Sequence, residues 1–179
     1  MFVIFSVFLN LIINKNTIKG GGCTFVINFH GAVKSIDTVL PYMKQKQAGE
    51  IYITGSLAGY RGLPKAAPYN VSKVAVNSLA ESLHLELKLQ GISMRLINPG
   101  FVESPLTDKN DFEMPFLITP EKAAEYIFKE MPKSNFEITF PKRFAYIMKT
   151  LRLLPYRLYF ALTAGSAKPT NSKYLSKEK

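Results

Sequence analysis

The sequence has little cysteine and little histidine, with one and two of them in 179 residues. A single cysteine, Cys23, excludes an internal disulfide and fits a reducing compartment such as the cytoplasm. The two histidines, His30 and His84, lack partner spacing for a metal, so we predict no metal site. The strongly apolar stretch at residues 2–14 is shorter than the roughly 20 residues that a helix needs to cross a bilayer. It also lacks a basic segment before it and a small-residue cleavage site after it, so we expect no signal peptide.

Acidic residues are scarce as well, with 13 Asp and Glu against 23 Lys and Arg and a net charge of +10. Residues 142–179 contain nine Lys or Arg and one Glu, so +8 of that charge lies in the tail. A basic tail attracts anionic lipid or nucleic acid. The alternative is a solvated or frayed terminus. We predict no nucleic-acid partner and leave contact with a membrane surface open.

The length and a hydrophobic content of 47% allow one domain with a proper core. We divide the chain into an N-terminal segment at 1–23, a domain at 24–141 and a tail at 142–179. Residues 2–14 are predicted to form a buried strand, or alternatively a membrane-surface anchor. Three consecutive glycines, 20–22, predict a flexible joint before the domain. The tail is predicted to be a basic, aromatic helix over 142–162, bent at Pro155, with disorder from Thr163 onward.

Within the domain, apolar periodicity alternates between helical and strand patterns. Pro41 is expected to bend the first helix or end its first part, and Thr119-Pro120-Glu121 has the composition of a helix start. The predicted elements are a helix at 28–46, a strand at 51–53, a helix at 69–89, a strand at 92–98, a loop or lid at 101–118, a helix from 120 to about 131 and a strand at 136–140. This order predicts an α/β fold, the second half of a doubly wound parallel sheet.

The most informative stretch is residues 51–73, IYITGSLAGYRGLPKAAPYNVSK. Ser56 follows the predicted strand, at the sheet edge where open α/β folds place their chemistry. Tyr69 and Lys73 are four residues apart on the next helix, so they lie on one helix face.

This stretch resembles the active-site signature of the short-chain dehydrogenase/reductase family, in which a strand-end Ser is followed by Tyr-x-x-x-Lys. Residues 92–100, ISMRLINPG, are similar to the family's next strand and its Pro-Gly turn. Asn28 falls where the family has its fourth catalytic residue. The resemblance covers residues 24–140 and implies the C-terminal part of a Rossmann fold and an NAD(P)-dependent oxidoreductase that acts on a carbonyl or secondary alcohol.

The resemblance also implies a role for each of these residues. Tyr69 would be the general acid/base, and Lys73 would lower the pKa of that phenol by its charge and hold the nicotinamide ribose. Ser56 would donate a hydrogen bond to the substrate oxygen, or alternatively be an ordinary turn serine. Asn28 would hold a water of a proton relay, or alternatively be a helix N-cap.

The cofactor implied by the resemblance is NAD or NADP. Besides Tyr69 and Lys73, the residues implied to bind its nicotinamide end are Pro99, Gly100, Val102 and Ser104. Ser104 stands where the family usually has Thr, and it keeps the hydroxyl group.

The family's N-terminal features are absent from this sequence. The spacing Thr-Gly-xxx-Gly-x-Gly of its phosphate turn does not occur, and neither does its Asn-Asn-Ala-Gly segment. We therefore expect the N-terminal βα units and the adenosine half of the cofactor site to be missing, and the chain by itself to be inactive. The alternative function is a truncated, non-catalytic remnant or an assembly partner.

Two partners are expected besides the cofactor: a second copy of the chain and a hydrophobic substrate. Family members pair through helices equivalent to 28–46 and 69–89, which predicts a homo-oligomer. Apolar residues in the lid, Phe112, Met114, Phe116 and Leu117, favour a hydrophobic substrate such as a lipid, steroid or fatty-acyl derivative.

Overall fold

A computed structural model of the protein describes residues 2–5, 18–105, 107 and 114–167. In this part four parallel strands form one sheet, and their order in the sheet follows their order in the chain. The strands are β1 (Phe2–Phe5), β2 (Gly49–Thr54), β3 (Ile92–Pro99) and β4 (Glu137–Phe140). A sheet that winds in one direction only is half of a doubly wound sheet, so the predicted partial Rossmann architecture is confirmed.

Six α-helices and one π-helical turn accompany these strands in the described residues. They are α1 (Ile18–Phe25), the π turn (Val26–His30), α2 (Gly31–Lys46), α3 (Ala67–Lys88), α4 (Pro120–Glu130), α5 (Lys142–Leu153) and α6 (Tyr156–Ala167). None of the helices that the structure describes is long and apolar enough to cross a membrane. The predicted helix at 69–89 and strands at 92–98 and 136–140 match α3, β3 and β4 to within two residues.

The alternation of side chains along β2 separates the two faces of the sheet. Ile51 and Ile53 point to one face, where they join the buried cluster under α2 and α3. Tyr52 points to the opposite face, into the cluster that α4 covers. Strands covered on both faces have few exposed positions, which explains the apolar run Ile51–Ile53 in β2 and the burial of nearly every residue of β3.

The first helical region begins earlier than predicted. The helix expected to start at Asn28 begins at Ile18, and the glycines at 20–22 lie inside α1, so the predicted flexible joint is wrong. Glycine costs helical stability of about 1 kcal/mol per residue relative to alanine. Packing of α1 against α3 supplies the tertiary contact that overrides this propensity.

Two further predictions are corrected at prolines. Pro41 does not end a first helical segment, because it lies inside α2, which runs to Lys46. The carbonyl that loses its helical partner is that of Asp37, an exposed residue, so it can bond to water. The tail does not form one bent helix, because Leu154, which precedes Pro155, has extended ψ of 138° and separates α5 from α6.

The ends of the chain are partly described. The strand predicted at residues 2–14 is confirmed over Phe2–Phe5, which pairs with β2, while residues 6–17 lie outside the described residues. Disorder from Thr163 onward is wrong as far as Ala167, where α6 ends. The rest of that predicted disordered tail, residues 168–179, also lies outside the described residues.

Candidate active site

The site lies where β2 and β3 end at the same edge of the sheet. The two strands are parallel neighbours with Thr54 opposite Ile97, and the Gly55 amide donates to the Ile97 carbonyl at 2.8 Å. The chain leaves β2 through Ser56 and leaves β3 at Pro99. The two exits therefore lie side by side, as at other ligand-binding sheet edges.

Ser56 is held by the short 3-10 turn Leu57–Gly59 that follows it. Its Oγ accepts a hydrogen bond from the Ala58 amide at 3.1 Å, which fixes the side chain at the turn's N-cap. A hydroxyl that accepts in this way keeps its own hydrogen for another partner. The Tyr69 hydroxyl lies close enough to Ser56 for this serine to lower the pKa of the phenol.

Tyr69 and Lys73 reach this serine from the first turns of α3. Pro68 stands in the first turn, where a missing N–H costs no helical bond. The Lys73 side chain is 7% exposed, and its Nζ donates to the Thr54 carbonyl at 3.0 Å. Nζ also lies 5.8 Å from the centre of the Tyr69 ring. The structure thus brings Ser56 together with Tyr69 and Lys73, the two residues predicted to share one helix face.

The electrostatics of this trio differ from the expectation. We expected Lys73 to lower the pKa of Tyr69, but burial raises that pKa, and the hydrogen bond with Ser56 offsets the rise only in part. Burial also lowers the pKa of Lys73, from its ordinary value of 10.5 to about 8. Both shifts have one cause, since removal from water disfavours the charged form of each group.

Asn28 lies within the π turn, so the alternative that it caps a helix N-terminus is wrong. Its Nδ2 donates to Ser72 Oγ at 2.9 Å, and Ser72 Oγ donates to the Tyr69 carbonyl at 2.7 Å. Asn28 therefore contacts the α3 turn that carries Tyr69 and Lys73. Single π turns inserted in α-helices are frequent at functional sites.

The segment after Pro99 is folded back on itself. The Gly100 amide donates to the Phe140 carbonyl at 2.8 Å, and Val102 forms a parallel bridge with Ile118. The Ser104 amide donates to Thr107 Oγ1 at 2.8 Å. These contacts give the four residues predicted to bind the nicotinamide end a fixed conformation beside the exit of β3.

The sequence analysis missed two asparagines, Asn77 and Asn98. Both are buried, and the Oδ1 atom of each has no hydrogen-bond partner among the described residues. Asn77 Nδ2 donates to the Ser56 carbonyl at 3.5 Å, and Asn98 Nδ2 donates to Glu137 Oε1 at 2.7 Å. A signal for Asn77 was present, because it lies four residues after Lys73 on the same helix face.

The histidines and the cysteine lie outside this group. His84 Nδ1 is 2.9 Å from the Met94 carbonyl, and its ring packs on Phe136. Cys23 is exposed. The part of the chain that the structure describes contains no group of three or more His, Cys, Asp or Glu placed to hold a metal ion.

The donor set fits the ribose of a nicotinamide nucleotide. A lysine ammonium has three N–H donors, and Thr54 O is the one acceptor that the described residues give to Lys73. Two donors are thus left for the neighbouring hydroxyls of a sugar, at the sheet edge next to Tyr69. Lys73 and Tyr69 would hold such a group.

Comparisons with known proteins agree with this geometry. The family model for short chain dehydrogenases matches residues 21–114. An uncharacterized oxidoreductase of Myxococcus xanthus is 37% identical over 134 residues, covering 75% of this chain and 53% of the relative. A Burkholderia cenocepacia short chain dehydrogenase, solved in complex with NADP, has a TM-score of 0.75 at 16% identity and covers 90% of this chain and 70% of that chain. A Burkholderia phymatum short chain dehydrogenase/reductase, solved with NAD, has a TM-score of 0.67 at 20% identity and covers 96% and 68% of the two chains.

The matched region is more than half of the chain and includes Ser56, Tyr69 and Lys73. The protein therefore belongs to the short-chain dehydrogenase/reductase family of oxidoreductases, as the resemblance indicated. The chain spans about half the length of the curated relatives it matches, at 53% and 50% for the Myxococcus xanthus and Staphylococcus saprophyticus proteins.

Gly55 offers a direct test of how tightly the site is packed. A Cβ at this position would lie 2.0 Å from Asn77 Oδ1 and 2.3 Å from Asn98 Oδ1. We expect Gly55→Ala to lower the free energy of unfolding by about 1–3 kcal/mol, as overpacking of a well-packed core does. Urea denaturation followed by circular dichroism measures the change.

Gly62→Ala is the matched control, because no atom lies within 4 Å of the Cβ that it would add. Its unfolding midpoint should stay close to that of the unchanged chain. Equal midpoints for the two variants would contradict the close approach of Asn77 and Asn98 to Gly55.

Proposed function

We propose that this site carries out the proton-transfer half of a carbonyl–alcohol interconversion with NAD or NADP as the hydride carrier. The observation that supports the proposal most is the approach of Ser56 and Tyr69 to each other beside a buried Lys73. Two hydroxyls that meet at a sheet edge can both donate to one substrate oxygen. A nicotinamide cofactor supplies or accepts the hydride when it is bound.

Tyr69 is the general acid in this proposal. Because burial raises its pKa, the phenol stays protonated at neutral pH. It can therefore give its proton to the oxygen of a carbonyl group that is becoming an alcohol. In the reverse direction, the Tyr69 phenolate that this transfer leaves is the group that takes the proton from the alcohol.

Ser56 stabilises the negative charge that develops on the substrate oxygen. Its Oγ is held in place by the hydrogen bond from the Ala58 amide, so the oxygen needs little reorganisation before it donates to the substrate. Preorganised donors of this kind contribute more in a buried site than in water. A substrate oxygen would replace the direct contact between Ser56 and Tyr69 and accept from both.

Lys73 holds the ribose and keeps a positive charge near Tyr69. With a pKa of about 8, the ammonium is charged at neutral pH and loses its charge as the pH rises through 8. Asn28 contacts Ser72 beside it, which supports a role of Asn28 in positioning this turn. Its part in a proton relay through a water stays a prediction, and so do the nicotinamide contacts of Pro99, Gly100, Val102 and Ser104.

The substrate that we propose is hydrophobic. Phe101 and Phe116 of the lid pack on the Phe144 ring, with ring centres 5.6 Å and 6.0 Å apart. Gly100 lies directly beneath that ring, since a Cβ there would be 2.9 Å from Phe144. The exit of β3 therefore faces an aromatic cluster that suits an apolar substrate. Phe112, also predicted to line the lid, lies outside the described residues.

Tyr69→Phe tests the chemical role, because it keeps the ring and removes only the hydroxyl. The change should be made in the chain completed with the N-terminal half of the Myxococcus xanthus relative, using a panel of hydrophobic ketones with NADH and NADPH. We expect turnover to fall about a hundredfold to ten-thousandfold, the usual contribution of a general acid.

Cofactor binding separates this role from loss of structure. Reduced nicotinamide mononucleotide carries only the half of the cofactor for which this chain has partners, and its fluorescence reports binding. We expect Tyr69→Phe to keep most of its binding, since Lys73 still holds the ribose, and Lys73→Met to lose it. Tyr42→Phe, the same change on the exposed side of α2, is the control. Retained turnover in Tyr69→Phe would exclude Tyr69 as the acid.

We also propose that the chain pairs with a second copy through α3, as the family resemblance implies for the helices at 28–46 and 69–89. Val71, Val74, Leu85 and Leu89 are all exposed. Their spacing places them on one side of the helix, as two apolar pairs separated by the exposed Ser78 and Ser82. Exposed apolar side chains grouped on one helix face favour a protein interface.

Leu85→Glu combined with Leu89→Glu should convert the oligomer into a monomer, because it places charges in the proposed apolar interface. Light scattering measures the mass in solution. Phe128→Glu, on the equally exposed face of α4, should leave the mass unchanged. A chain that is a monomer before any change would contradict the proposed pairing.

A further inference from the structure

The C-terminal arm, defined here as Lys142–Ala167 and formed by α5 and α6, has an unusual composition. Its basic residues are Lys142, Arg143, Lys149, Arg152 and Arg157, and it contains no Asp or Glu. This one-sided charge is not used by the proposed catalytic site.

The arm packs against the rest of the fold, so it is not the frayed terminus that the sequence left open as an alternative. Ala145 and Met148 of α5 and Tyr159 of α6 are buried. Arg61 Nη1 donates to the carbonyls of Leu151 at 3.1 Å, Arg152 at 2.8 Å and Leu154 at 2.7 Å, so it caps the end of α5. A capped helix end with buried contacts is held in one conformation.

Two further contacts fix the arm to the sheet and to the loop after Ser56. Lys149 Nζ donates to Glu137 Oε2 at 2.6 Å. Burial would raise the pKa of Glu137, but hydrogen bonds from Lys149, Tyr60 and Asn98 outweigh it and hold that pKa below its ordinary value. The Arg61 guanidinium also stacks over the Tyr159 ring, 4.2 Å from its centre.

The outer side of the arm is strongly apolar. Side chains that are more than half exposed there are Tyr146, Leu153, Tyr156, Leu158, Phe160 and Leu162. In α6 they lie on both flanks of the helix, with Arg157 between them. A helix that is apolar on nearly all sides is normally covered by something apolar.

The positive charge of the arm indicates which kind of partner covers its apolar side. Because Lys149 is paired with Glu137, a second copy packed arm against arm would bring four positive charges onto four others, with no acidic residue in either arm to pair with them. An anionic lipid surface offers negative charge for the basic residues and an apolar layer for the aromatic and aliphatic ones. With 12 residues, α6 is too short to cross a bilayer of about 30 Å, so it would lie in the interface.

We propose that the α5–α6 arm docks on the surface of an anionic membrane, with its outer apolar residues in the interfacial layer and its basic residues among the lipid headgroups. Tyr and Phe side chains are favoured at that depth of the bilayer. Basic side chains next to them are attracted by anionic headgroups. The body of the protein then stays outside the lipid, held by the contacts of Arg61 and Lys149.

Flotation with vesicles tests this proposal on the whole chain. We expect binding to phosphatidylcholine vesicles that contain phosphatidylserine, weaker binding at high salt and no binding to phosphatidylcholine alone. Arg143→Gln combined with Arg157→Gln should weaken binding by at least about tenfold, since each basic residue near the surface adds to the attraction. Leu153→Ser combined with Leu162→Ser should weaken it as well, through the apolar contact.

Matched variants on another exposed helix are the controls. Phe128→Ser on α4 and Lys88→Gln on α3 change the same kinds of side chain outside the arm and should leave flotation unchanged. Circular dichroism of each variant shows that it is folded. Equal binding to both kinds of vesicle, absence of binding at low salt, or equal loss in the control variants would overturn the proposal. Dissociation of an oligomer by the arm variants without any vesicle binding would identify a second copy as the partner and would overturn it too.

Discussion

The contact of Lys73 with the end of β2 is the constraint on which the site depends. An ammonium removed from water needs a partner, and the Thr54 carbonyl supplies one at 3.0 Å. This contact brings the first turns of α3 against the strand exit, which sets Tyr69 opposite Ser56. The same burial raises the pKa of the phenol and lowers that of the ammonium. The burial of Lys73 against β2 therefore determines both the position of Tyr69 and the two pKa shifts.

Much of the architecture could be predicted because the local sequence patterns of the strands and helices agree with the structures that these segments adopt in the fold. The run from Ile51 to Ile53 and the Pro68 helix start describe a strand and a helix regardless of what packs on them. The spacing of Tyr69 and Lys73 fixes their common face once the helix is known. Four separate matches in the right order made the family recognisable, although the chain spans about half of its curated relatives' length.

The errors came from contacts between distant parts of the chain. The glycines at 20–22 have poor helix propensity, but α1 packs on α3, and no local rule contains that contact. The effect of Lys73 on Tyr69 was judged from charge alone, whereas depth of burial decides the direction of both shifts. Asn77 and Asn98 were missed because their meeting at Gly55 needs a helix and a strand to approach closely. Arg61 was not considered, since it acts on carbonyls about 90 residues later in the sequence.

The most direct test of the account is the titration of Lys73 itself, followed by the Cε resonance in protein labelled with carbon-13 lysine and assigned with Lys73→Arg. If Lys73 is buried against the Thr54 carbonyl, its resonance should shift with a midpoint at pH about 8, below the ordinary lysine value of 10.5. A midpoint near 10.5 for Lys73 would mean that the ammonium is in water. The strand contact, and with it the arrangement of Ser56 and Tyr69 on which the proposed function rests, would then be wrong.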